Sequence, residues 1–399
     1  MNIFSKIFHK VFSSKKKKSE LVMVLDVGSS SVGGALFETN AGGAPNIILS
    51  IREPIVLEDK SDFDRFLSLT VKALDSVVDK ISKAGFGAPH RVFCVLSSPW
   101  YASQTRVITS EKAEPFLFTK KLADVVIADE VNIFDKEYLA KYAHPADKVR
   151  TLELKTIKTT LNGYETSNPY NQKTKQFQIN IFVSVSPEQV LVKIEEAINK
   201  SFHLLEIKFS SFVMASYVVA RDVFAHQENF LLIDIGGEVT DTSMVKGNVL
   251  RESISFPAGS NFMIRGVAAG MKCTLEEARS LLFLYKDGHA VGEVQKNLKP
   301  IVAGLKQGWL QMFQESLANL SNDISIPSRI FLAIDKEFYD FFTDVIKTEQ
   351  FNQYTLTDSK FEVSHLGTEA LNGITTFRAE IPRDPFMILE TIYINRFFH

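Results

Sequence analysis

Alternating apolar residues near the start of the chain predict a β-hairpin, and the same pattern returns about two hundred residues later. The first copy runs from Leu21 to Val27, turns through glycine and serine, and continues from Val32 to Phe37. The second runs from Phe230 to Ile235 and then from Asp241 to Val245. Because a repeated supersecondary unit indicates a repeated fold, the two copies predict two lobes of like fold that face each other.

Each predicted hairpin is followed by a third strand and by helical segments. Asn46 to Ile51 is the third strand of the first copy, and a helix follows it whose apolar face carries Phe63, Phe66, Leu67, Leu74, Val77, Val78 and Ile81. Val249 to Phe256 is the third strand of the second copy, and a long helix is predicted near Leu298 to Leu320. Three strands followed by a helix are typical of the start of an RNase-H-like lobe.

The full length of 399 residues exceeds what one hydrophobic core usually supports, so several subdomains are expected. The predicted fold is α/β, with two RNase-H-like lobes and an inserted α+β subdomain. The predicted divisions are a basic amphipathic segment at 1–20, a lobe I core at 21–87 and 205–228, the insert at 88–204, a lobe II core at 229–257 and 327–399, and a small helical subdomain of lobe II at 258–326.

Two helix starts carry capping signals. Ser186 precedes Pro187 and Gln189, which predicts a cap at Ser186 and a helix from Pro187. Thr274 precedes Glu277 by three residues, which predicts a capping box.

Composition removes several classes of function. A net charge of -2 gives no basic face for the phosphates of a nucleic acid. Cys94 and Cys273 form no CxxC pair, and the histidines have no metal-ligand spacing, so neither a disulfide framework nor a zinc site is predicted. No run of about 18 apolar residues is present, and the first residues lack the unbroken apolar core of a secretory signal. These observations favour the cytoplasm.

The first 18 residues instead read as an amphipathic basic segment. Its apolar face would carry Ile3, Phe4, Ile7, Phe8, Val11 and Phe12, and a basic run follows at Lys15, Lys16, Lys17 and Lys18. A helix of this kind lies in the plane of a membrane, and its lysines attract anionic lipids on the inner face. The alternative is a helix that docks on its own protein or on a partner.

The turn of the first hairpin contains a set of phosphate-binding groups. Gly28 permits a tight turn, and the amides and hydroxyls of Ser29, Ser30 and Ser31 can form a nest of donors. Asp26, at the end of the strand, could hold a magnesium ion through its waters.

The second turn repeats this arrangement at Asp234, Gly236, Gly237 and Thr240. A strand that ends in Asp-x-Gly is common in ordinary hairpins, so one copy is a weak signal. Two copies, each between apolar strands, predict a nucleotide cleft with Asp26 and Asp234 near the metal.

These motifs resemble those of the actin-like ATPases, and within them the FtsA and PilM branch. DVGSSSV looks like the first phosphate motif, DIGGEVTD like the second, and LNGYETSNPYNQKTKQFQINIFVSVSP is similar to the FtsA-specific subdomain. The resemblance runs from about Leu21 to the end of the chain and implies ATP and magnesium as cofactors. At most slow hydrolysis is expected, because this chain departs from the family pattern in the cleft.

The same resemblance implies a scaffold. FtsA tethers a division filament to the membrane and self-associates into filaments, whereas PilM is a platform beneath type IV pili. The insert favours FtsA and the wording DVGSSSV is at least as typical of PilM, so division proteins and pilus proteins both remain candidate partners. A small-molecule kinase shares the fold, but no acceptor base is recognisable in the insert.

Two departures from the family pattern bear on the cleft. Glu238 and Val239 replace a glycine and a threonine in the second turn. A carboxylate there would repel a triphosphate unless it points away or helps to hold the metal. Asp335, Lys336 and Glu337 replace the glycine pair that lets the backbone approach the adenosine. The alternative to nucleotide binding is a degenerate cleft that only holds the lobes together.

Deleting residues 1–18 tests the membrane prediction. Each lysine near an anionic bilayer contributes about 1 kcal/mol, so the truncated protein is expected to lose its affinity for anionic liposomes. Co-sedimentation of the full-length and truncated proteins measures this. Equal sedimentation of the two proteins would rule the anchor out.

Overall fold

A computed structural model describes residues 19–40, 43–60, 62–142, 148–202, 206–320, 325–348 and 360–398. The predicted membrane segment at residues 1–18 lies outside these ranges. The strands in chain order are β1 (Leu21–Val27), β2 (Ser31–Glu38), β3 (Asn46–Pro54), β4 (Arg91–Leu96), β5 (Ala102–Phe118), β6 (Val149–Leu161), β7 (Tyr164–Glu165), β8 (Gln172–Pro187), β9 (Ile207–Ser211), β10 (Phe230–Ile235), β11 (Thr240–Lys246), β12 (Val249–Phe256), β13 (Arg329–Ile334), β14 (Glu362–His365) and β15 (Thr376–Phe377).

The helices are α1 (Phe63–Lys83), α2 (Lys120–Tyr142), α3 (Glu188–Asn199), α4 (Phe212–Val223), α5 (Ser260–Met271), α6 (Leu275–Lys286), α7 (Gly292–Leu320), α8 (Lys336–Thr348) and α9 (Pro385–Asn395). None of these described helices is both long enough and apolar enough to cross a membrane.

The two lobes have sheets of the same topology. The lobe I sheet has the order β15-β3-β2-β1-β4-β9, and the lobe II sheet has the order β12-β11-β10-β13-β14. In both, an antiparallel hairpin and a third strand continue into two parallel strands. The prediction of two RNase-H-like lobes is confirmed.

Separate hydrophobic cores fill the two lobes. In lobe I, helix α1 buries Leu74, Val77 and Ile81 against the sheet. In lobe II, helix α7 buries Trp309 and Phe313 in a second cluster. Helix α6 begins with the predicted capping box, because Thr274 and Glu277 exchange hydrogen bonds.

The inserted subdomain is smaller than predicted. Its sheet has the order β5-β8-β6-β7, and α2 packs on it, so the insert begins at Ala102 and ends near Pro187. Strand β4 belongs to the lobe I sheet, and helix α3 packs against α1. The boundaries 88 and 204 are therefore corrected, because both flanks are buried in lobe I.

Two further predictions are corrected at the ends of elements. The last part of 327–399 was assigned to lobe II, but β15 pairs with β3, and α9 packs on β1, β2 and α4 of lobe I. Pro187, not Ser186, is the N-cap of α3, because the Ser186 hydroxyl donates to the Trp100 carbonyl at 2.7 Å.

Gly34 provides a test of how closely α1 lies on the sheet. A Cβ at Gly34 would meet the side chains of Val77 and Ile81, whereas a Cβ at Gly304 of α7 would meet nothing within 4 Å. We expect Gly34→Ala to lower the free energy of unfolding by about 1 to 3 kcal/mol through overpacking. Gly304→Ala should raise it by about 0.5 to 1 kcal/mol, because alanine favours a helix. Urea denaturation measures both changes, and a shift of the same sign in the two variants would contradict the packing described.

Candidate functional site

The two predicted phosphate turns face each other across the interlobe cleft and are in direct contact. The Gly28 amide donates to the Ser31 carbonyl at 3.2 Å, and the Gly236 amide donates to the Val239 carbonyl at 3.0 Å, which closes each turn. The Ser29 hydroxyl oxygen accepts the amide of Gly237 at 2.9 Å and that of Glu238 at 3.1 Å. The structure thus joins two predicted site residues, Ser29 and Gly237, across the cleft.

Gly237 lies against the backbone of the opposite turn. A Cβ at this position would lie 2.6 Å from the Ser29 carbonyl oxygen and 2.8 Å from the Ser30 nitrogen. These distances are shorter than any side chain tolerates, so only glycine permits this approach of the two chains.

The other predicted phosphate-binding side chains also have protein partners. The Ser30 hydroxyl donates to Asp335 Oδ2 at 3.3 Å, and the Ser31 hydroxyl accepts from Arg52 Nη1 at 2.9 Å. Thr240 was predicted to bind nucleotide, but it is buried in lobe II and donates to the Ala258 carbonyl at 2.6 Å. Its assignment to the cleft is corrected, because residues on a strand alternate between faces and Thr240 lies on the core face.

Asp26 is paired with an arginine that no sequence motif indicated. Arg52 Nη2 lies 2.8 Å from Asp26 Oδ2, and the Asp26 side chain is 4% exposed. Asp26, Gly33 and Arg52 stand in one row across β1, β2 and β3. A Cβ at Gly33 would lie 2.7 Å from Arg52 Nη2, so the missing side chain is what allows Arg52 to reach Asp26.

Arg52 also binds the start of the last helix. Its Nε donates to Asp384 Oδ2 at 2.5 Å and its Nη2 to Oδ1 at 3.2 Å. Asp384 is the N-cap of α9 and accepts the amides of Phe386 and Met387. The guanidinium lies 5.1 Å from the centre of the Phe386 ring. A single arginine thereby fixes both the first turn and α9.

Acidic groups are in excess around this arginine. Burial raises the pKa of Asp26 to about 6, against the opposing charge of Arg52. Burial, together with the charges of Asp241 and Asp26, raises the pKa of Asp234 well above its usual range. Burial also raises the pKa of Asp335. Burial in the cleft therefore favours the neutral form of these three carboxyl groups.

Glu390 of α9 is the least satisfied of these groups. The side chain is fully buried, and neither carboxylate oxygen has a hydrogen-bond partner among the described residues. Burial, followed by the charge of Asp26, raises the pKa of Glu390 well above its usual range. Its surroundings therefore favour the neutral form of the carboxyl group.

Glu238 points away from the turns. Its two oxygens accept from Arg265 Nη1 at 2.6 Å and from Nη2 at 2.8 Å, and Asn261 Nδ2 donates to Oε1 at 2.8 Å. Arg265 Nε also donates to the Glu58 carbonyl of lobe I at 2.9 Å. The sequence left two alternatives for the Glu238 carboxylate, and the structure shows the one in which it points away from the phosphate position. In that orientation the carboxylate anchors an interlobe contact through Arg265.

Asp241 forms a second link between the lobes. Its Oδ1 accepts from Ser98 of lobe I at 3.0 Å and from Ser255 of β12. No group of three or more His, Cys, Asp and Glu side chains suited to a metal ion occurs within the described ranges. The arrangement as a whole connects the lobes through short polar contacts between protein groups.

Comparisons with known proteins identify the architecture. No protein-family model and no curated protein matches the chain. Among solved structures, a PilM–PilN type IV pilus biogenesis complex matches with a TM-score of 0.60 and 12% identity, over 94% of this chain and 97% of the other. The chain has the actin-like ATPase fold. The ethanolamine utilization protein EutJ from Carboxydothermus hydrogenoformans also matches, with a TM-score of 0.43 and 10% identity, over 94% and 88% of the two chains.

The assignment of the two glycine turns as phosphate motifs stays a prediction. The structure brings Ser29, Ser30 and Ser31 to the cleft, with Gly236 and Gly237 opposite them. Arg52, Asp384 and Arg265, which contact these turns or their neighbours, escaped prediction. A lone arginine in a strand gives no local signal, and Asp384 is more than three hundred residues from Asp26 along the chain.

The pH dependence of stability tests the state of the buried acids. Because the pKa values of Asp26 and Glu390 are raised in the folded state, the folded protein binds these protons more tightly than the unfolded chain does. Their contribution to stability is complete below pH 4 or so and is lost as the pH rises through the folded-state pKa. The free energy of unfolding should therefore fall as the pH rises from about 4 through 6, where Asp26 loses its proton.

The substitution Glu390→Gln separates the contribution of the Glu390 proton from the other pH-dependent contributions to stability. The neutral amide needs no proton on folding, so the variant should be more stable than the wild type at pH 7.5 and show a flatter pH dependence. Glu196→Gln, at an exposed position of α3, is the control and should follow the wild type. Urea denaturation across this pH range measures both variants. If the Glu390 variant follows the wild type too, the acid is not buried as described.

Proposed function

We propose that the protein is an assembly platform of the PilM type, which uses the actin-like fold to bind a partner protein at the inner face of a membrane. The proposal is supported by the match to the PilM chain, which spans nearly the whole of both chains and so includes the insert. The amphipathic basic segment predicted at residues 1–18 would provide the contact with anionic lipid.

The observation that carries the proposal is a groove between the insert and lobe II. It has a volume of about 720 Å³. Its walls are the start of β5, the residues Phe134 and Glu137 of α2, and the end of β12 from Glu252 to Phe256. A groove of this size, with a mixed polar and apolar lining, is suited to side chains of a bound segment.

Both walls of the groove contain edge strands. β5 is the outer strand of the insert sheet, and β12 is the outer strand of the lobe II sheet. Edge strands present backbone donors and acceptors to which another extended chain can add. The occupant we propose is an extended segment of a partner protein, as the pairing of PilM with PilN in the matched complex suggests.

The FtsA-type tether, which the insert favoured in the sequence analysis, is the second candidate. It requires the lobes to stack into filaments on the membrane, because head-to-tail contacts of this kind do not close. The nearly complete structural match supports the PilM type over it. Loss of a PilM-type protein would stop pilus assembly, whereas loss of an FtsA-type protein would stop cell division.

Deleting the gene that encodes this chain, in its native organism, distinguishes the two candidates. We expect the deletion strain to lose assembled surface pili and to keep its normal cell length. Electron microscopy of the cell surface and measurement of cell length provide the readouts. Elongated, undivided cells that retain their pili would instead support the FtsA type.

Complementation with groove variants tests where the partner binds. Ser103→Trp should fail to restore pili, because Ser103 lines the groove and the indole would fill it. Thr109→Trp is the matched control, since Thr109 lies on the same strand and face, is exposed and does not line the groove. Equal restoration by both variants, at equal protein levels, would exclude the groove as the partner site.

A further inference from the structure

The protein's own groups in the cleft take the positions that a magnesium nucleotide is expected to take in this fold. At the second turn, an oxygen that accepts two successive amides is the arrangement a glycine turn offers to a phosphate. Here the oxygen is the hydroxyl of Ser29, at 2.9 Å from the Gly237 nitrogen and 3.1 Å from that of Glu238.

The contact leaves no space for a phosphate between the turns. Gly237 packs on the backbone of Ser29 and Ser30, at distances that exclude even a methyl group. The Gly236 amide is used within its own turn, and the Ser30 and Ser31 hydroxyls are engaged by Asp335 and Arg52. A phosphate would have to separate the lobes and displace each of these partners.

The metal position is also taken. The sequence placed Asp26 beside a hydrated magnesium ion, but its carboxylate is bound by the Arg52 guanidinium at 2.8 Å. The same guanidinium neutralises Asp384. A fixed guanidinium offers the positive charge that a divalent cation would otherwise bring to these carboxylates.

The lobes are also joined beside the turns. Glu238 binds Arg265, which donates to the Glu58 carbonyl of lobe I, and Asp241 accepts from Ser98. Both contacts connect lobe II to lobe I through protein groups.

We infer that the cleft holds its closed conformation without nucleotide or metal, with the Ser29 hydroxyl in the place of a phosphate oxygen and the Arg52 guanidinium in the place of the cation. The residues of this cleft do not fit magnesium ATP in the closed state. The inference is independent of the identity of the partner protein, because it concerns contacts inside the chain.

Titration of the full-length wild-type protein is the first test. We expect no saturable heat with magnesium ATP at concentrations up to about 1 mM, and no rise in melting temperature with magnesium alone or with magnesium ATP. Saturable, magnesium-dependent binding of ATP that raises the melting temperature would overturn the inference. This measurement needs no variant.

Ser29→Ala tests the phosphate position. The variant leaves two amides without their acceptor, so we expect a lower melting temperature and faster proteolysis between the lobes. Ser82→Ala, at an exposed position of α1, is the control and should match the wild type. A Ser29 variant that also matches the wild type would overturn the inference.

Arg52→Gln tests the cation position. Loss of the guanidinium leaves Asp26 and Asp384 without a counter-charge, so this variant should be less stable than the wild type and should regain melting temperature when magnesium or manganese is added. Arg52→Lys, which keeps a positive charge, should show no such metal effect. An Arg52→Gln variant that folds but gains nothing from either metal would overturn the cation assignment, and the wild-type titration decides the matter if the variant does not fold.

Discussion

The other contacts of the cleft depend on the ion pair between Asp26 and Arg52. Asp26 stands at the end of a strand whose other residues are almost all buried, and a charge at such a place must be paired. Arg52 reaches it from two strands away, across the space left by Gly33. Since the same guanidinium binds the N-cap of α9, the pair also fixes the last helix over the lobe I sheet. The first turn, the third strand and the end of the chain therefore form one unit.

The contacts between the lobes depend on that unit. Ser29 can accept two amides of lobe II only while the first turn is held in place, and Ser31 of this turn is bound to Arg52. Each such hydrogen bond contributes about 1 kcal/mol net, so none of them closes the cleft by itself. Arg265, which Glu238 binds within lobe II, adds a further hydrogen bond to the Glu58 carbonyl of lobe I. The closed conformation of the cleft therefore results from several weak contacts, all of which form in the same arrangement of the two lobes.

The sequence predicted those parts of the fold whose signal is local. The period of two along β1 and β10, followed by glycine turns, was enough to predict both hairpins and hence two like lobes. The box at Thr274 was found because its two residues are three apart. The cap at Ser186 failed because a tertiary partner, the Trp100 carbonyl, takes the hydroxyl. Arg52, Asp384 and Arg265 could not be predicted, because their partners are distant along the chain and an isolated charged residue usually indicates a solvated surface.

The closed cleft and the groove are parts of the same geometry. One wall of the groove, β5, belongs to the insert carried by lobe I, and the other wall, β12, belongs to lobe II. The width of the groove therefore depends on the angle between the lobes. Asp241 lies where the two sites meet, since it accepts from Ser98 on the lobe I side and from Ser255 of β12. If protein groups alone hold the cleft closed, the groove is formed at all times. The partner then meets a preformed surface and does not have to supply the free energy of bringing the lobes together.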